Sequence, residues 1–166
     1  MRLTNYSDYA LRSLIYLAIK PKNHELANIN DIADSYHISK SHLTKIIHQL
    51  GKLGYIESVR GKGGGIRLAK HPKQINIGTL IRHTESDFYI LDCLDDSSDT
   101  PSKKTPPDVI PSLEISTAEV TSSCVISPVC QLKGVFSKAM LAFITVLDDY
   151  TLADVITNAD ELLEHL

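Results

Sequence analysis

Three features of the 166-residue chain predict a mainly α protein with a small β-hairpin. Apolar residues recur at helical spacing through residues 5–53, two short alternating runs then flank a glycine-dense segment, and a four-turn apolar stripe follows Cys130.

Leu11, Leu14, Ile15 and Ala18 form one stripe, with Thr4 and Asn5 as capping candidates and Pro21 as a stop, which predicts a first helix over 5–19. Ile29, Ile32 and Ala33 predict a short second helix capped by Asn28 or Asn30, and the polar stretch SYHIS is too short to extend it. Ser39 is the expected cap of a third helix whose Leu43, Ile46, Ile47, Leu50 and Leu53 share a face. Two short helices with so tight a connection read as a helix-turn-helix. Tyr55 to Val59 alternates as a strand, RGKGGG supplies a turn, and Ile66 to Ala69 returns. A helix-turn-helix followed by a basic hairpin is a winged helix. The glycines do not make a nucleotide loop, because no parallel strand precedes them, no helix opens after them, and the order does not fit GxxxxGK[ST].

Ile75 to about Glu85 predicts another short helix. Residues 94–123 hold Pro101, Pro106, Pro107, Pro111 and six acidic residues among many Ser and Thr, the composition of an acidic loop. Leu132, Val135, Phe136, Ala139, Met140, Phe143, Ile144 and Leu147 then follow the i, i+3, i+4, i+7 rule, predicting a long C-terminal helix. So wide a stripe suits both an internal partner and a symmetric dimer. DDYTLADVI opens a final helix through Leu163. The expected organisation is a winged helix-turn-helix over 1–83, a cysteine-bearing region over 84–130 containing the 94–123 loop, and a dimerisation helix with a C-terminal helix over 131–166.

Charge divides the chain. Residues 1–83 carry 13 Lys and Arg against 5 Asp and Glu, a balance of +8, while residues 84–166 carry 4 against 15, a balance of −11. A basic half points to a polyanion such as nucleic acid, since neutralising phosphates supplies most non-specific affinity. On the third helix the apolar stripe leaves Lys40, Ser41, His42, Thr44, Lys45 and His48 facing outward as base-reading or phosphate-binding candidates. On the wing, Arg60, Lys62 and Arg67 supply charge beside a backbone that glycine lets approach the sugar-phosphate. The longest apolar run, Ala139 to Leu147, has nine residues, well short of the roughly 20 a membrane span needs, and Met1-Arg2 opens no signal peptide. A soluble, cytoplasmic protein without a membrane partner is expected.

Three cysteines, Cys93, Cys124 and Cys130, cannot pair off, and a reducing compartment favours metal or redox roles over cross-links. Zinc sites usually show C-x₂₋₄-C pairs, whereas this pair is C-x₅-C with no third thiol or histidine close by. A cysteine nucleophile needs an adjacent base and a redox enzyme favours C-x-x-C, and neither pattern is present, so no enzyme is expected. An iron–sulfur cluster is held by thiolates but not always by four of them. Which nitrogen or oxygen completes such a set is open at this level.

The stretches LTNYSDYALRSLIYLA, SKSHLTKIIHQLGKLGYIESVRGKGGGIRL and CVISPVCQLKGVFSKAMLAFITVLDDYTLADV resemble the nitric-oxide-responsive repressors within the family of iron–sulfur winged-helix transcriptional regulators. The resemblance covers Arg2 to Val155 apart from the loop. It implies a homodimer that binds double-stranded operator DNA with an intact cluster, a [4Fe–4S] ahead of a [2Fe–2S], and releases it when nitric oxide attacks that cluster. The matching ligands are Cys93, Cys124 and Cys130, with Asp8 supplied from the other subunit. Cluster-assembly regulators of the same family use a histidine three residues after the last cysteine, and here that residue is Lys133. On its own chemistry Asp8 also suits a helix N-terminus and an i, i+4 pair with Arg12. The 30 residues between Cys93 and Cys124 depart from the family's short gap. Stretching a gap of about five residues to 30 adds only roughly 1.6 kcal/mol of loop-closure cost, small beside metal–thiolate binding. The alternatives are a regulator of cluster assembly and a DNA-binding regulator with a zinc or thiol switch.

Overall fold

The structure, a computed structural model, describes residues 2–20, 26–85 and 124–166. Cys93 and the predicted acidic loop at 94–123 lie outside them, as does Pro21. The chain divides into two compact units. One comprises Arg2–Ser86 together with Thr145–Leu166, and the other Asp87–Ile144.

In the first unit, helix α1 spans Asn5–Ile19 and is capped by Thr4, whose hydroxyl accepts from the Ser7 N–H. Its buried face is centred on Ala10, Leu14 and Leu17, with Leu11, Ile15 and Ala18 only half-buried. The face is rotated from the apolar stripe because Ser7 and Ser13 are fully buried too. Each satisfies its hydroxyl, Ser7 on Thr84 Oγ1 at 2.7 Å and Ser13 on the Tyr9 carbonyl at 2.7 Å, which removes the penalty for burying a polar group.

Helix α2, Ile29–Tyr36, is capped by Asn28, which accepts from the Asn30 N–H at 2.9 Å. It runs through Ser35 and Tyr36, further than the polar composition of SYHIS predicts, and stops at His37 in the left-handed region with φ of 53°. The Ile38 N–H returns to the Ala33 carbonyl at 2.9 Å and its side chain is buried, so the turn is anchored at both ends. Helix α3, Lys40–Lys52, buries Leu43, Ile46, Ile47 and Leu50 against α1 and α2. Ser39 occupies the capping position without the expected capping bond, its hydroxyl lying 2.9 Å from that of Ser41.

Strands β1, Ile56–Val59, and β2, Gly65–Leu68, pair antiparallel with Ile56 opposite Leu68 and Glu57 opposite Arg67. Ile56 and Ile66 face the core, so Glu57 and Arg67 share the outer face. Ala27 adds a bridge to the hairpin, exchanging two 2.9 Å bonds with Ile66. A Cβ on Gly65 would lie 2.6 Å from the Ala27 carbonyl oxygen, so only glycine allows this approach.

A 3-10 turn at Pro72–Gln74 leads into helix α4, Ile77–Thr84, capped by Asn76. The end of the chain returns to this point. The Ile77 N–H donates to the Tyr150 carbonyl and the Leu152 N–H to the Ile75 carbonyl, and Leu152 is fully buried. The predicted single final helix is two short ones, α6 over Leu152–Val155 and α7 over Ala159–Glu164. The β-branched run Val155-Ile156-Thr157, followed by Asn158, breaks it because such residues lose side-chain freedom in a helix.

The described part of the second unit begins with the turn at Cys124, a 3-10 segment at Ser127–Val129, and helix α5, Gln131–Asp148, whose last residues belong to the first unit. No residue of α5 is buried, and Leu132, Val135, Leu141 and Val146 are more than half exposed. Among the described residues no helix is long and apolar enough to cross a membrane.

Candidate nucleic-acid interface and metal ligands

The buried stripe of α3 fixes what its other face presents. Lys40, Ser41, His42, Thr44, Lys45 and His48 are all exposed on it. Two of the hydroxyls are already engaged. Thr44 Oγ1 donates to the Lys40 carbonyl at 2.8 Å, and Ser41 Oγ pairs with Ser39. Thr44 must therefore release the Lys40 carbonyl before its hydroxyl donates to a base, whereas either hydroxyl of the Ser39–Ser41 pair can be the donor. Lys40, His42, Lys45 and His48 provide the cationic and imidazole groups of the face.

The wing tip carries Arg60 and Lys62, both exposed, on a backbone where Gly61 and Gly63 take φ of 111° and 80°. Such angles suit glycine alone and turn the chain sharply enough to put two cations at the tip. Arg67 is placed differently. Its Nε is ion-paired with Glu57 Oε1 on the neighbouring strand, so part of its charge is spent within the hairpin. The Glu57 partnership was missed by sequence reasoning, though the pairing of Glu57 opposite Arg67 follows from the length of the turn. A second unpredicted pair lies at the base of the wing. Buried Tyr55 shares a 2.8 Å hydrogen bond with His83 Nδ1, burial pushes its phenol up to about 12, and Lys70 Nζ sits 5.1 Å from the ring centroid.

Asp8 stands half-buried in the first turn of α1, and its Oδ1 accepts from Arg12 Nε at 2.8 Å. That hydrogen bond raises the guanidinium above its ordinary value, and Arg12 also lies 5.7 Å from the centroid of the Tyr36 ring. Cys124 is exposed and Cys130 half-buried, both outside any disulfide, and they bracket the 3-10 turn immediately before α5. The Ser127 N–H closes that turn on the Cys124 carbonyl at 3.0 Å. Asp8 belongs to the first unit, Cys124 and Cys130 to the second, and Cys93 is outside the described residues. Among the described residues no cluster of three or more His, Cys, Asp or Glu is assembled to hold a metal. Cys124 and Cys130 offer soft sulfur donors of the kind that iron–sulfur clusters use, Cys130 directly before the first residue of α5.

A helix-turn-helix with a cationic outer face, joined to a glycine-tipped basic wing, defines the class of DNA-binding winged-helix transcriptional regulators, which are not enzymes. The chain belongs to the Rrf2 family, described as iron-dependent transcriptional regulators, whose family model matches residues 3–158. It is 49% identical over 162 residues to the HTH-type transcriptional regulator NsrR of Bacillus licheniformis, covering 98% of this chain and 96% of that one. It is 46% identical over 166 residues to the NsrR of Bacillus subtilis strain 168, covering 100% and 97%. Among solved structures, IscR of T. potens shares the fold at a TM-score of 0.66 and 24% identity, covering 98% of this chain and 90% of that one. CymR, the global cysteine regulator of B. subtilis, does so at 0.63 and 22%, covering 95% and 98%.

Proposed function

We propose that this transcriptional regulator is a homodimeric repressor that binds operator DNA through α3 and the wing and senses nitric oxide through an iron–sulfur cluster, a [4Fe–4S]. The observation that carries the reading is the pair Cys124 and Cys130, both outside any disulfide and bracketing the turn at the head of α5. Cys93, Cys124 and Cys130 would hold the cluster from one subunit, and the partner subunit's Asp8 would complete the set. A bound cluster would supply iron with affinity for a small diatomic molecule, and Asp8, as an oxygen donor, would hold that iron less firmly than a thiolate does.

The remaining roles fall to the chain. Lys40, Ser41, His42, Thr44, Lys45 and His48 would meet the major groove, and Arg60, Lys62 and Arg67 the backbone beside it. The proposed division of labour is DNA binding by 1–83, cluster binding by 84–130 and dimerisation by 131–166. The unburied apolar side of α5 supports the last of these, since a second copy would cover it. Helix α1 packs on α3, so releasing Asp8 frees the element that supports the recognition helix.

The test is the visible spectrum of anaerobically purified protein during stepwise addition of nitric oxide, with DNA binding followed in parallel by fluorescence anisotropy. A broad cluster band that bleaches as binding is lost supports the reading. A colourless protein that stays so after reconstitution with iron and sulfide leaves the zinc or thiol-switch regulator in its place.

A further inference from the structure

A cleft of about 390 Å³, open to solvent, is lined by Thr4, Tyr6, Gln49, His83, Thr84 and Glu85. These residues come from the start of α1, the C-terminal half of α3 and the end of α4, all within the Arg2–Ser86 part of a single unit. The volume falls in the range of small-ligand pockets, roughly 300–1,000 Å³.

The lining is one-sided in charge. Among the six residues none is Lys or Arg, and Glu85 supplies the one carboxylate. Both hydrogen bonds that Glu85 accepts from Thr4, one from the main-chain N–H at 2.8 Å and one from the hydroxyl at 3.1 Å, fall on Oε1. Among the described residues the three ion pairs, Asp8 with Arg12, Glu57 with Arg67 and Asp148 with Arg82, leave Glu85 out. A half-buried carboxylate gains from a cation brought against it, because the shielding of water is reduced there.

The neighbouring groups suit the same occupant. Tyr6 is half-buried, and burial raises its phenol, so it stays neutral and lines the cleft with an aromatic ring of the kind that attracts cations. Gln49 and Thr4 add oxygen acceptors for an N–H. His83 is steadied by the 2.8 Å bond between its Nδ1 and the buried Tyr55 hydroxyl. An anion would meet Glu85 with no Lys or Arg in the lining to offset it.

We propose that this cleft binds a small aliphatic ammonium, its nitrogen at the Glu85 carboxylate and its carbon chain beside Tyr6. The site uses neither a cysteine nor a second copy of the chain, so it stands apart from the cluster and dimer readings. Because Gln49 belongs to α3, the occupant touches the helix proposed to read DNA, and linkage requires that any effect on DNA affinity be returned equally in its own.

The probe is n-butylammonium chloride, titrated into the full chain while the backbone amide shifts of Thr4, Gln49 and Glu85 are followed by NMR. Sodium butyrate and 1-butanol are the controls, at constant ionic strength. Saturable shifts with a Kd on the order of 1 mM are expected for so small a ligand, with both controls about tenfold weaker or more. Glu85→Gln keeps an oxygen to accept from Thr4 but removes the charge, and should weaken amine binding about tenfold. Gln49→Glu adds a second carboxylate and should tighten it, a gain that a disturbed fold would not produce. Shifts that never saturate, equal affinity in Glu85→Gln, no gain in Gln49→Glu, or a control bound as tightly as the amine would each overturn the proposal. Preference for Nα-acetyl-lysinamide over the free amine would overturn it too, assigning the cleft to a lysine of a protein partner.

Discussion

The Ser7 hydroxyl donates to Thr84 Oγ1 at 2.7 Å in the core, joining the first turn of α1 to the last turn of α4. Thr84 passes the bond on to the Leu80 carbonyl at 3.1 Å, and beside it Glu85 accepts from both the Thr4 N–H and hydroxyl. Ser7→Ala removes the only donor of that first bond from a fully buried site. The expected cost is about 1–2 kcal/mol, read as a lower urea midpoint with an unchanged slope. A midpoint within error of the unaltered protein would make the bond incidental.

On the wing, Glu57 holds back part of the charge of Arg67. Glu57→Gln should therefore tighten DNA binding and steepen the dependence of log K on log salt by about one unit, as one more cation becomes available to phosphate. Weaker binding would mean that the pair shapes the hairpin and that Arg67 reaches no phosphate.

Lys45 and Arg60 stand on the two surfaces proposed to flank DNA. Alanine at either should weaken binding across all sequences and reduce the salt slope by about one. Titration at several salt concentrations checks this. An unchanged slope for Arg60→Ala takes the wing tip out of the interface.

Tyr55 gives the fold a sensitivity to alkali. Its phenol keeps its proton to about 12 in the folded chain, against an ordinary value near 10 in the unfolded one. The native state thus binds the extra proton between these values. The contribution is complete below pH ~10 and is lost as pH rises toward ~12. Tyr55→Phe should flatten that decline in urea unfolding, while losing about 1 kcal/mol at neutral pH with the His83 hydrogen bond. A decline equally steep without the phenol would assign it to other groups.

Helix α3 was legible because four core residues, Leu43, Ile46, Ile47 and Leu50, mark its face without competition from polar burial. Helix α1 was legible in extent but not in orientation, since Ser7 and Ser13 look like surface residues until Thr84 and the Tyr9 carbonyl are placed beside them. The return of residues 145–166 to the N-terminal unit had no local signal. It depends on Asp148, Tyr150 and Leu152 meeting Arg82, Asn76 and Ile75, partners some 70 positions away in sequence. In the candidate site, the i, i+4 spacing of Asp8 and Arg12 foretold their ion pair, and the exposed face of α3 matched its pattern residue by residue. The engagement of Thr44 by the Lys40 carbonyl and of Ser41 by the Ser39 hydroxyl was hidden, because a hydroxyl's nearest partner becomes known only once the helix is formed.

The bridge from Ala27 to Ile66, admitted by Gly65, holds the inner strand of the hairpin from behind. Among the described residues, the stretch Arg60 to Gly64 lies beyond that bridge and outside the paired strands. This makes the tip an exchangeable module: its length and charge can be rewritten, by selection or at the bench, as a dial on overall grip. Helix α3, proposed above as the recognition helix and packed on α1, α2 and β1, would keep its choice of sequence throughout.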